Sequence, residues 1–170
     1  MKVIIADQNR QVIEALKDYD PTFEWHDGTP LAFDIDAVVS PANTAGIMNG
    51  GYDAALRRHF GNTLEYRVRK SIEAKPIPVG EARAIQTADE RVKWLIVAPT
   101  VSIVADGLSG HETVSYAAAY RSVITAHRAG AVCLGMTGLG TGAGGLEIRK
   151  AIFQQCDGIE DALVDIEEAM

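Results

Sequence analysis

A three-layer α/β sandwich around one sheet is the fold class this sequence predicts. Short runs rich in Val and Ile alternate with segments of helical periodicity, which is the signature of strands and helices packed in layers. The two most glycine-rich stretches each follow such a run and precede a helix. A chain of 170 residues also suits one hydrophobic core without disulfide or metal staples. Residues 1–170 are therefore expected to form a single domain, with no linker, repeat or low-complexity segment between parts.

Apolar runs at residues 2–6, 22–25, 37–40, 82–87, 94–98 and 131–135 read as strands buried in a sheet. A helix over residues 9–17 places Val12, Ile13 and Leu16 on one face. A second helix runs from Tyr52 toward Phe60 and stops at Gly61. A third covers 63–74, ahead of the Pro76-Ile77-Pro78 breaker. The fourth, over 111–128, is alanine-rich and closes at Gly130. A fifth follows Gly145, and the acidic segment after Gly158 reads as a sixth. The stretch 102–110 holds Asp106, Gly107, Ser109 and Gly110 and reads as a mobile loop.

Composition removes several function classes. A hydrophobic content of 47% with scattered charge excludes a disordered or fibrous chain. No stretch approaches the roughly 20 apolar residues of a membrane span, so no membrane partner is expected. The N-terminal run is too short for a secretory signal and reads as a first strand. Cys133 and Cys156 lack metal-ligand spacing and read as reduced core residues, which places the chain in the cytoplasm. His26, His59, His111 and His127 are scattered, so neither a metal nor another cofactor is expected. Trp25 and Trp94 lie in strand-like runs and read as core. Arg57 and Arg58 read as a solvated helix face. The net charge of −7 argues against non-specific nucleic-acid binding, which needs a basic face. A phosphate-bearing ligand of so acidic a chain must be held mainly by backbone N–H groups and helix N-termini.

Two glycine loops could do this. The first follows the strand ending at Ser40 and contains Asn43, Gly46, Asn49, Gly50 and Gly51 before the helix that begins near Tyr52. The amides of Asn43 and Asn49 suit a hydroxyl-rich ligand, and the glycines let backbone approach it without Cβ interference. An ordinary strand-to-helix turn, with Asp53 complementing the helix dipole, explains the same segment equally well. The second loop carries Gly135, Gly138, Gly140, Gly142, Gly144 and Gly145. So many glycines lose much conformational entropy on folding, which favours a loop wrapped around phosphates over a simple turn. Gly140, Gly142 and Gly145 also match G-x-G-x-x-G, but no further strand follows to complete a dinucleotide-binding unit. No Lys-Ser or Lys-Thr completes a P-loop.

The stretch from Asp36 to Asn43, followed by Asn49-Gly50-Gly51-Tyr52-Asp53-Ala54, resembles the macro-domain signature. The loop from Thr137 to Gly142 resembles that family's phosphate-binding loop. Pro78-Val79-Gly80-Glu81-Ala82 and the run from Trp94 to Thr100 are similar to segments of a bacterial and phage-associated branch. The resemblance implies a mixed, roughly six-stranded sheet between helical layers, with ADP-ribose lying across the carboxyl ends of the strands. It implies that Asn43 hydrogen-bonds the distal ribose and that Gly50 and Gly51 pack against that ribose and the diphosphate. Thr137, Gly138, Leu139, Gly140, Thr141 and Gly142 would wrap the diphosphate with their N–H groups. The aspartate that receives adenine in the family is replaced here by Thr29, with Asp27 two residues earlier, and either is a candidate contact. Ser40-Pro41 replaces the usual Asn-Ala, and the aromatic residue of the second loop is absent.

What the family resemblance implies about activity is binding of ADP-ribose or of an ADP-ribosylated protein. Hydrolysis of ADP-ribosyl esters, on protein or as O-acetyl-ADP-ribose, is a further expectation, with Asp53 orienting or deprotonating a water and Asn43 fixing the ribose. No Glu-Glu pair stands beside the glycines and no lysine lies near the loops, so glycohydrolase and covalent-lysine routes are unsupported. The alternative is a non-catalytic interaction module with a degenerate nucleotide pocket.

Overall fold

A computed structural model describes residues 1–102, 113–141 and 146–170. Six strands form one mixed sheet: β1 (Lys2–Asp7), β2 (Glu24–Asp27), β3 (Ala37–Ser40), β4 (Arg83–Gln86), β5 (Trp94–Val97) and β6 (Cys133–Met136), in the order β2-β1-β6-β3-β5-β4. All pairs are parallel except the edge pair of β4 with β5. The helices are α1 (Arg10–Tyr19), α2 (Gly51–Phe60), α3 (Asn62–Ala74), α4 (Val114–Arg128) and α5 (Ile148–Glu168), with a short 3-10 turn over Pro30–Ala32. Among the described residues no helix is long and apolar enough to cross a membrane.

Strand side chains alternate between faces, and here that alternation divides two cores. Val3, Ile5, Ala37, Val39, Ile96, Leu134 and Met136 pack toward α1, α4 and α5. Ile4, Val38, Leu95, Val97 and Cys133 pack toward α2 and α3. Both faces are therefore covered, which is why the inner strands read as continuous apolar runs. Asp36 holds β6 in register by accepting the N–H groups of Val132 and Cys133, the latter at 2.9 Å. Both cysteines are free and buried.

Two expectations from the sequence need correction. Gly158 does not separate two helices: α5 runs unbroken through it. A Cβ there would sit 2.5 Å from the carbonyl oxygen of Tyr116, so this glycine lets α4 and α5 approach backbone to backbone. The second strand lies two residues later than its apolar pattern suggests. Its register, Ile4 with Glu24 and Asp7 with Asp27, is set by pairing with β1. The stretch expected to be a mobile loop lies, from residue 103 onward, outside the described residues, as does the first part of the expected fourth helix.

Candidate functional site

Parallel strands end at one edge of the sheet, and at that edge a cleft of about 1010 Å³ opens between the two glycine loops. Its floor comes from strand ends and its walls from the loops that follow them. Asp7 closes β1 and Gln8 follows it, Gly28 and Thr29 follow β2, and Thr137 and Gly138 follow β6. Asn43, Asn49, Gly50 and Gly51 come from the loop after β3, and Thr100 and Val101 from the segment after β5.

The loop after β3 is built from inside. Asn43 Oδ1 accepts the N–H groups of Ala45 and Ile47, each at 3.1 Å, while its Nδ2 donates to the Ile47 carbonyl at 2.9 Å. This side chain lines the cleft and also folds its own loop, leaving one amide hydrogen for a ligand. Glu65 on α3 pins the next turn by accepting the Met48 N–H at 2.8 Å. Gly46, expected to face the ligand, packs instead against α3. A Cβ on it would lie 2.8 Å from the Ile72 methyl. Gly50 and Gly51 are the open pair, since a Cβ on either would meet nothing within 4 Å. Gly51 also has φ +54°, a left-handed conformation that favours glycine. Together they present the N-terminus of α2 to the cleft, where unpaired N–H groups and the helix dipole attract an anion.

Asp53 lies in the first turn of α2, 5% exposed, and lines the cleft. Ser40 Oγ donates to its Oδ1 at 2.5 Å. Burial pushes the carboxyl up to about 6; the Ser40 hydroxyl opposes that rise, and the charge of Glu65 adds to it. A carboxylate so placed is ionised at neutral pH yet basic enough to take a proton from water.

In the second loop the structure narrows the expected donor set. Gly138 donates its N–H to Asp7 Oδ2 at 2.9 Å, and Leu139, fully buried, donates to Gln155 Oε1 at 2.8 Å. Neither amide is free for a diphosphate in this arrangement, and Leu139 is absent from the described lining of the cleft. The Leu139 amide is taken by Gln155, a buried side chain on α5 that also donates to the Thr137 carbonyl at 2.8 Å and so holds both ends of the turn. Gly140 and Thr141 do face the cleft. Gly140 has φ +73°, and a Cβ would lie 2.4 Å from Ser115 Oγ, so both conformation and packing require glycine. Gly142 lies outside the described residues.

At the opposite end, Thr29 lines the cleft and its Oγ1 is 3.5 Å from the Tyr52 hydroxyl. Asp27 is exposed and is not among the described lining residues, because the register of β2 puts it on the strand rather than in the loop. The carboxylate that does reach this end is Asp7. Sequence reading missed it, along with Gln155, Arg58 and His59. A polar residue closing an apolar first strand was the available signal for Asp7, since parallel sheets bind ligands at strand C-termini.

A family model described as Macro domain matches residues 39–153. An uncharacterized protein of Aquifex aeolicus is 31% identical over 154 residues, covering 84% of this chain and 89% of that protein. An uncharacterized protein of Aeropyrum pernix is 33% identical over 115 residues, or 68% of this chain, and the match spans 58% of that relative's length. Among solved structures, the Trypanosoma brucei macrodomain in complex with ADP-ribose is similar at a TM-score of 0.66 and 20% identity, over 81% of this chain and 56% of that one.

Proposed function

This chain belongs to the macro domain family, and we propose that its cleft binds ADP-ribose or an ADP-ribosylated protein and hydrolyses ADP-ribosyl esters. The observation that carries the reading is the cleft itself, where Gly50 and Gly51 at the α2 N-terminus face Gly140 and Thr141 across the strand ends. A diphosphate fits between them, held by backbone groups and a helix dipole, as an acidic protein requires. The adenosine half then lies toward Asp7, Gln8, Thr29 and Tyr52, and the distal ribose toward Asn43, Thr100 and Val101.

Hydrolysis uses Asp53. A water beside the distal ribose attacks its anomeric carbon, the ester oxygen leaves with the bonding pair as a carboxylate, and Asp53 takes the water's proton. General-base help of this kind is worth about 10²–10⁴-fold. Ser40 orients the base through its 2.5 Å hydrogen bond. The inward hydrogen bonds of Asn43 favour a second reading, binding without turnover, because they leave its amide little freedom to grip the ribose.

Calorimetry with ADP-ribose, AMP and NAD tests the binding claim. ADP-ribose is expected to bind more tightly than the other two, and equal or absent binding of all three would overturn it. For catalysis, Asp53→Ala is expected to lose about 10²-fold or more on an ADP-ribosylated carboxylate. Full activity in that variant removes Asp53 from the mechanism, and no activity in the unaltered chain favours the binding-only reading.

A further inference from the structure

The cleft extends beyond the two glycine loops. Gly51, Tyr52, Ala55, Arg58 and His59 all line it, and their spacing puts them along one side of α2. At a rise of about 1.5 Å per residue, the cleft follows the helix for about 10 Å beyond its N-terminus. Leu31, on the side where Thr29 meets Tyr52, and two basic side chains, Arg58 and His59, also line it. Besides the Tyr52 phenol, the other titratable side chains of the described lining, Asp7 and Asp53, are carboxylic acids, in a chain whose net charge is −7.

Cations in the last turn of a helix complement its dipole, and that alone could explain Arg57, Arg58 and His59. Their partners separate them. Arg57 turns to α3, where its Nη1 lies 3.5 Å from Glu65 Oε2. His59 Nε2 lies 3.8 Å from Asp89 Oδ2, so an acidic side chain braces its ring. Arg58 makes no hydrogen bond or ion pair among the described residues, and it faces the cleft. A guanidinium with five N–H donors, free and beside an imidazole, is suited to a phosphate.

We propose that Arg58 and His59 form an anion subsite that takes a phosphate carried on the adenosine ribose of the ligand, so that the cleft favours a 2′- or 3′-phosphorylated nucleotide over the unphosphorylated form. The inference rests on the binding reading above, since it assumes that adenosine lies on the Thr29 side. Arg58 reaches the phosphate with its free donors, while His59, braced by Asp89, supplies a second donor. The diphosphate is held by neutral backbone groups, and Arg58 and His59 are the basic side chains of the described lining, so the added charge is recognised at this end.

The test is calorimetry of the full chain with ADP-ribose and ADP-ribose 2′-phosphate, and with AMP and adenosine 3′,5′-bisphosphate for the other ribose oxygen. At least one phosphorylated ligand is expected to bind about tenfold more tightly than its parent, which is 1.4 kcal/mol. Arg58→Ala is expected to erase that preference and leave the parent ligand's affinity within about twofold. Lys70→Ala, an exposed cation on α3 paired with Glu73, should keep it. Equal binding of phosphorylated and parent ligands overturns the subsite and leaves ADP-ribose binding standing. A preference that survives Arg58→Ala, or an equal loss on both ligands, also overturns it. Failure to bind any of the four overturns both readings together.

Discussion

Replacing Asp53 with Asn isolates the cost of burying a charge at this position. In the folded chain burial lifts this carboxyl from its ordinary 3.8 to about 6. The unfolded chain leaves it near the ordinary value. Above about pH 6 folding therefore holds an anion that water solvates better, and the unfolded state is favoured. Below about pH 4 the group is protonated in both states and the cost vanishes. A gap of about two pKa units at roughly 1.36 kcal/mol each gives a penalty of about 3 kcal/mol at neutral pH. Asn keeps the shape and an acceptor for the Ser40 hydroxyl, and it carries no charge. Asp53→Asn is thus expected to gain about 2–3 kcal/mol at pH 8, or roughly 4–12 °C in Tm for a domain of this size, and almost nothing near pH 4. Thermal unfolding followed by circular dichroism across that range reads both values. A variant less stable than the parent at pH 8, or two pH profiles that run parallel, would refute the reasoning.

Three other sites, two in the second loop's support and one between α4 and α5, give further tests. Gly140→Ala places a side chain at φ +73° and 2.4 Å from Ser115 Oγ, so a loss of about 2–4 kcal/mol is expected in denaturant unfolding. Adding Ser115→Gly should recover the steric part and leave the backbone part. Gln155→Leu strands the Leu139 N–H and the Thr137 carbonyl, at about 1–3 kcal/mol each, and calorimetry should show weaker ADP-ribose binding as the second loop loosens. Gly158→Ala gains about 1 kcal/mol of helix propensity but drives a methyl into the Tyr116 carbonyl, 2.5 Å away. A net loss in Tm is expected there, and a gain would show that α4 and α5 part easily.

Much of the fold is legible in the sequence because burial writes a period into it. The strands carry unbroken apolar runs since both faces of the sheet are covered, and the helices α2 and α3 carry their own stop signals at Gly61 and Pro76. Glycine is where the reading is ambiguous. Gly46, Gly51 and Gly158 look alike as letters, yet the first packs against α3, the second opens onto the cleft and the third lets two helices touch.

The sequence by itself determined the layer order, the helix and strand types, the family resemblance and the two loops from which a binding site could be built. Those properties follow from local periodicity and from residue types at fixed spacing along the chain. Only the tertiary structure decided which groups share the cleft. Asp7 reaches Gly138 across 131 residues of sequence, and Gln155 takes the Leu139 amide from a helix that follows the loop. Arg58 faces the cleft, while Arg57, one residue earlier on α2, is turned toward Glu65. Hydrogen-bond partners are chosen by proximity in the folded chain, where an unpaired polar group is costly, and sequence spacing does not record that proximity.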